Sequence, residues 1–272
     1  MQDKYLDEIK QKGFVKIPQL IPTNTLQQLK TLVQNHWNAS KADLAKVKNV
    51  PYLNQGHEVI YSLQNKDPFF FTVFLRQPLL LSILMRCLND EWYKQIPKEN
   101  PNFILRGLMA RSSGDGELPL HIDSFIPSAG DYVWMMQVVI VLEKQTKENG
   151  CTLVVPGSHK FGHYAHQEWM KYAMPLESEP GDVVLWDSRL WHGATANTTS
   201  NSRWAIIATF SRWWIKQNYQ YTETFPPAFL SQLHDSEKAV LGYCSLPPRD
   251  EFDRPDIKAG YDIFTNTPAL QE

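Results

Sequence analysis

Three side chains in this sequence could hold one divalent cation. His121 and Asp123 stand two apart in "LPLHIDSF", and His192 lies in "LWDSRLWHGATAN". On an extended strand, residues i and i+2 project to the same face. An imidazole nitrogen and a carboxylate oxygen could then reach one ion without bending the chain, and such a mixed pair suits Fe(II), Mn(II) or Zn(II). A second histidine arriving from a neighbouring strand would complete one face of an octahedron. Three positions would stay open for small ligands, the arrangement used by non-haem Fe(II) oxygenases. Among the remaining histidines, His36, His57 and His234 fall in helical or loop outskirts, and His159, His163 and His166 follow the "VPGSH" turn. His159 reads as a hydrogen bonder that fixes this turn, and Asp187 could orient a neighbour or face solvent.

A positive charge belongs with the triad. Arg203 opens "RWAIIATFSRWW", eleven residues after His192. Alternation puts Arg203, Ala205, Ile207 and Thr209 on one face and the bulkier Trp204, Ile206, Ala208 and Phe210 on the other. The smaller set could line a cavity with a guanidinium at one end. A buried guanidinium needs an anion, and its planar fork matches a carboxylate in two parallel bonds. A dicarboxylic cosubstrate would supply that anion.

The elements needed to position these groups can be read in turn. "GFVKIP" predicts a short strand. Thr23 or Asn24 can cap a helix with Leu26, Leu29, Leu32 and Val33 on one stripe, and "KADLAKV" could add a helical turn or two. Residues 49–62 read as loop with one short strand. An apolar helical region runs from Asp67-Pro68 towards Asn89, interrupted by Arg76 and Pro78, and reads as a buried helix pair. From about residue 102 strands dominate: "FILRGLMARS", a long "DYVWMMQVVIVLEK", "CTLVVPGSH", "GDVVLWDS" and "RWAIIATFSRWW". Gly114-Asp115-Gly116, Asn149-Gly150 and Pro180-Gly181 punctuate them. This pattern suggests an antiparallel barrel or jelly roll. "HYAHQEWMKYAM" and "PPAFLSQLHDSEKAVLGY" read as helical insertions, and the tail after Pro247 as loop.

The order His121-x-Asp123, "ENGCTLVVPGSH", "GDVVLWDSRLWHG" and "NTTSNSRWA" resembles the phytanoyl-CoA dioxygenase family over residues 100–214, and "GFVKIPQLIPTNTLQQLK" is similar to its N-terminal strand and helix. The resemblance implies a mainly β fold with flanking helices: a double-stranded β-helix core at about 101–215, a helical part at about 1–100 and an extension at about 216–272, in a single domain. It implies that His121, Asp123 and His192 ligate Fe(II), and that Arg203 binds the far carboxylate of 2-oxoglutarate, with O2 as the oxidant. It also suggests a cosubstrate role for Gln137, a lone amide sharing a face with Val133, Met135 and Val139. Arg106, Arg111 and Thr152 are candidates for the near carboxylate. Family members often carry a hydroxyl residue two positions after the arginine, where this chain has Ala205.

The implied reaction is hydroxylation of a small-molecule substrate with release of succinate and CO2; desaturation, epoxidation or cyclisation could use the same centre. Asp123 argues against a halogenase, which needs that position vacated. Phe125, Tyr132, Trp134 and Trp213 are candidates to touch substrate. Loops 47–66, 124–132 and 216–230, with Tyr52 and Tyr219, are expected to shape the mouth. A non-catalytic metal-binding jelly roll and a zinc hydrolase are the competing readings.

Composition sets the remaining bounds. The chain has 272 residues, 43% of them apolar, enough for a substantial core. Lys+Arg 27 against Asp+Glu 29 gives a formal charge of -2, so no general attraction to nucleic acid or anionic membrane is expected. The N-terminal "MQDKYLDEIKQKGF" lacks an apolar signal core. Cys87, Cys151 and Cys244 form neither a disulfide framework nor a zinc pair, and they point to a cytoplasmic setting.

Overall fold

Antiparallel strands, short and mostly buried, account for the middle of the chain. A computed structural model describes residues 2–44, 58–94, 96–114, 116–247 and 250–252. Ten strands fall in two sheets. They are β1 (Phe14–Ile17), β2 (Val59–Tyr61), β3 (Phe103–Arg111), β4 (Leu118–His121), β5 (Met135–Val141), β6 (Thr152–Val154), β7 (Met174–Leu176), β8 (Val183–Asp187), β9 (His192–Ala194) and β10 (Ala205–Arg212). The larger sheet has the order β1-β8-β5-β10-β3-β2 and the smaller β4-β9-β6-β7. The expected jelly-roll core with N-terminal helices is the fold found.

The chain divides into two compact units. Residues 1–61 and 109–208 form the first. It contains α1 (Gln2–Lys12), α2 (Thr23–Leu44), the smaller sheet, and β1, β2, β5 and β8 of the larger. β5 is buried along its whole length and pairs with β8 from Met136↔Asp187 to Ile140↔Val183. Burial on both faces explains why "MMQVVIV" is apolar at every position but Gln137. Phe14, Val139, Val154, Trp186 and Leu190 pack together as a core cluster. Of the predicted stripe on α2, Leu26, Leu29 and Val33 are buried and Leu32 is half-buried.

Residues 62–108 and 209–272 form the second unit. Its helices are α3 (Phe69–Leu75), α4 (Pro78–Leu88), α5 (Tyr221–Thr224), α6 (Pro227–Leu230) and α7 (Asp235–Val240). α3 and α4 are bent by 76° at their break. They bury Phe70, Phe71, Phe74 and Leu80, and Phe210 meets Phe74 and Phe103 edge to face. Among the described residues no single helix is long and apolar enough to cross a membrane.

Several expectations need correction. The helix expected to be capped by Thr23 or Asn24 already includes both residues. "HYAHQEWMKYAM" forms no α-helix, only a 3-10 stretch over Gln167–Tyr172, because its aromatic side chains pack around Trp191 instead of forming a helical stripe. The long strand expected around "DYVWMMQVVIVLEK" is confined to β5. Tyr52 and most of loop 47–66 lie outside the described residues.

Candidate metal and cosubstrate site

β4 and β9 pair so that His121 and His192 face each other directly. The register takes three steps on β4, from Leu118 to His121, against two on β9, from Ala194 to His192. The extra residue is a β-bulge, and Pro119 sits inside it, where no ladder N–H is required of it. Gly193 lets the two strands approach this closely: a Cβ there would collide with the Leu118 carbonyl oxygen. Asp123 lies just beyond β4, not on it as the strand reading supposed. Its N–H and that of Ser124 both donate to the Ser188 carbonyl, at 2.8 and 3.0 Å. A turn between β8 and β9 thus fixes the carboxylate that strand alternation was expected to fix.

The three donors converge. Ligand atoms of His121, Asp123 and His192 all lie within 4.8 Å of one another, the one such cluster among the described residues. His192 Nε2 is 3.2 Å from Asp123 Oδ2, and His121 Nε2 is 3.7 Å from Asp123 Oδ1. Each imidazole turns its Nδ1 to a backbone carbonyl, His121 to Pro119 at 2.9 Å and His192 to Leu190 at 3.0 Å. A carbonyl only accepts, so Nδ1 carries the proton and Nε2 keeps its lone pair for the shared point. This second contact is what a metal-ligating histidine ordinarily has.

The charges agree with that chemistry. Burial, then the neighbouring His192, pushes His121 down to about 4. Burial alone would raise Asp123, but the charge and hydrogen bond of His192 outweigh it and bring the carboxyl down to about 2. Burial opposes protonation of His192, but Asp123 overcomes it and raises this imidazole. The cluster therefore holds an ionised carboxylate beside one neutral and one readily protonated imidazole. A divalent cation fits this set better than a proton does.

The same cavity holds the arginine. Its lining includes the triad with Arg111, Gln137, Thr152, Trp186, Arg203, Ala205 and Ile207. Of the face expected to hold Arg203, Ala205, Ile207 and Thr209, the first three line the cavity and Thr209 does not, and β10 begins at Ala205, so Arg203 precedes the strand it was expected to open. Arg203 is 5% exposed, and its Nε has no hydrogen-bond partner among the described residues. Burial, then the charge of Arg111, lowers the guanidinium to about 9. A cation so placed fits an anion with two acceptor oxygens. The other site residues fall elsewhere. Arg106 does not line the cavity; it lies in the second unit, where its charge acts on buried Tyr221. Trp213 stacks on Tyr93 at 4.4 Å and donates to Asp90 in the same unit, so its ring serves a local core. Phe125 and Tyr132 are exposed, Trp134 is half-buried, and none of the three lines the cavity.

Sequence reading missed the residues that hold this frame. Ser158 of "PGSH" accepts the Trp191 N–H at 2.8 Å, one residue before His192. Gln167 brackets Leu120, accepting its N–H at 3.0 Å and donating to its carbonyl at 2.8 Å. It stands in for a strand neighbour at the open side of β4. His159 fixes the turn as expected, with Nε2 near the Lys10 carbonyl at 3.3 Å. Asp187 is buried and pairs with Arg189. Gln167 offered no signal in sequence, because both of its partners are backbone groups of Leu120, 47 residues away. Arg189 pairs with Asp187 two residues before it, but its other partners, the Ser128 and Gly130 carbonyls, are distant along the chain.

A jelly-roll frame thus gathers two histidines and a carboxylate that could hold one metal ion in a cavity that also holds a buried arginine. The phytanoyl-CoA dioxygenase (PhyH) family model matches residues 9–205, and the chain belongs to that family, a family of dioxygenases. The chain is 29% identical over 206 residues to Uncharacterized protein Rv1501 of Mycobacterium tuberculosis, covering 75% of this chain and 74% of the relative. It is 26% identical over 236 residues to Dioxygenase af480 of Aspergillus fumigatus, covering 80% and 72%. Its fold is similar to HygX from Streptomyces hygroscopicus, solved with nickel and 2-oxoglutarate bound, at 16% identity and a TM-score of 0.60, covering 79% and 88%. HygX has also been solved with hygromycin B.

Proposed function

We propose that the chain acts as a single-domain Fe(II)- and 2-oxoglutarate-dependent dioxygenase that hydroxylates a C–H bond of a small molecule. Iron, 2-oxoglutarate and O2 together supply the oxidising chemistry, with succinate and CO2 as coproducts. His121, Asp123 and His192 would hold the ion from one side, leaving the other side for ligands. Arg203 would take the far carboxylate of 2-oxoglutarate. Gln137 and Thr152 supply polar atoms in a cavity otherwise walled by Trp186, Ala205 and Ile207, and Arg111 adds positive charge suited to the near carboxylate. The observation that carries this reading is the buried Arg203, whose Nε has no hydrogen-bond partner among the described residues, in the same cavity as three converging metal donors. The small-molecule substrate follows the HygX likeness and the enclosed scale of the cavity.

The test is a screen for succinate release with Fe(II), 2-oxoglutarate and O2 across a small-molecule library, followed by mass analysis of the products. A product heavier by one oxygen atom, formed in step with succinate, is expected. Metal-dependent hydrolysis with Zn(II) and no succinate with Fe(II) would end this reading. A product lighter by two hydrogens would replace hydroxylation with desaturation.

A further inference from the structure

The turn between β8 and β9 holds more than Asp123. Arg189, 3% exposed, spans two partners in different parts of the first unit. Its Nε and Nη2 donate to both oxygens of Asp187, with a shortest contact of 2.7 Å. Its Nη1 donates to the Gly130 carbonyl at 2.8 Å and reaches Ser128 O at 3.4 Å. Gly130 and Ser128 belong to the loop over residues 124–134, whose two ends lie at Asp123 and near Gln137, both lining the cavity. This loop presents Phe125 at 64%, Ile126 at 60% and Tyr132 at 50% exposure. Phe125 also has φ 61°, a left-handed conformation that a bulky residue keeps only where its surroundings enforce it. The neighbouring backbone supplies the other fixings. Asp123 and Ser124 N–H groups bond Ser188 O, and Ser188 N–H bonds Met135 O.

We infer that Arg189 is a positioning residue that clasps the 124–134 loop to the β8–β9 turn, which leads into His192 and holds the Asp123 backbone, so that Phe125, Ile126 and Tyr132 are held at the substrate entrance. This inference rests on the oxygenase reading for its consequence, though not for its geometry. Lysine could neutralise Asp187, but its single ammonium cannot serve the carboxylate and the Gly130 carbonyl together as the guanidinium fork does. A merely structural ion pair would be rescued by lysine, whereas a clasp would not.

Hydrogen exchange by mass spectrometry on the full chain separates the two. In Arg189→Lys, thermal stability should stay close to wild type while amides of residues 126–133 exchange about tenfold faster. Chymotryptic cleavage after Phe125 and Tyr132 should quicken in parallel. The Asp123 and Ser124 amides, bonded to Ser188 O, should keep their protection. The Asp187→Asn/Arg189→Gln pair leaves no buried charge unpaired, so it carries the test if the lysine variant does not fold, with the same local loosening expected. Unchanged exchange in the loop, or a rise spread equally through β5 and β8, would overturn the inference. If the wild type bound no Fe(II) and 2-oxoglutarate, the oxygenase reading would fall while the exchange result stood by itself.

Discussion

Two buried arginines in the first unit make opposite arrangements from the same side chain. Arg189 is 3% exposed and pairs with Asp187 through both carboxylate oxygens. Arg203 is 5% exposed and has an Nε with no partner among the described residues, beside a second cation, Arg111. A buried pair gains little stability overall, but breaking it strands a charge. A buried cation without its anion is a standing cost, kept where a ligand is to supply the anion. Arg189 finds its anion within the chain, whereas under the proposed function Arg203 would take its anion from the cosubstrate.

Substitutions can sharpen that contrast. The largest effect should come from the triad: Asp123→Ala or His192→Ala should remove Fe(II)-dependent turnover, a loss of at least about 1000-fold, because two donors alone hold the ion poorly. Next, Arg203→Met should raise the Kd for 2-oxoglutarate about 100-fold, the scale of losing a buried charge-assisted carboxylate contact. Without 2-oxoglutarate it should leave the melting temperature unchanged or higher. Asp187→Ala should do the reverse, costing about 3–5 kcal/mol of stability by leaving Arg189 unpaired. Calorimetry with and without 2-oxoglutarate reads both. Equal destabilisation by the two substitutions would break the comparison.

Smaller effects test the frame. Gly193→Ala places a methyl against the Leu118 carbonyl and should weaken Fe(II) binding about tenfold, within the range for disturbed ligand positioning, measured by anaerobic titration. The metal-free protein should also lose stability as pH falls from 6.5 towards 4. His121 has a folded-state pKa lowered to about 4, so in that window the unfolded chain binds more protons and acid favours it. Above the ordinary histidine range this contribution is constant. His121→Asn should flatten the slope, read as melting temperature against pH. Gln167→Ala, which frees the Leu120 backbone, should cost least, about 1 kcal/mol.

How much of this was legible follows from how each group is held. His121, Asp123, His192 and Arg203 are chemical types at informative spacings, and alternation placed Ala205 and Ile207 beside Arg203. β5 and β8 announced themselves as apolar runs between turn residues. The bulge at Pro119 and the turn at Ser188 were not legible, since a register shift and a carbonyl acceptor leave no mark on residue type. Arg106 and Arg111 looked equivalent on one strand, yet only Arg111 lines the cavity, because five residues apart on a strand reverses the face. Trp213 looked available to a substrate because exposure of an aromatic cannot be read without its stacking partner, here Tyr93.

Under the proposed function, one cavity assembles Fe(II) and 2-oxoglutarate through His121, Asp123, His192 and Arg203. Anaerobic addition of Fe(II) and then 2-oxoglutarate tests it most directly, by the weak visible charge-transfer band of the chelated complex. The band is expected in the wild type, absent in His121→Ala and Asp123→Ala, and shifted to much higher 2-oxoglutarate concentration in Arg203→Met. A band of undiminished strength in His121→Ala and Asp123→Ala would contradict it.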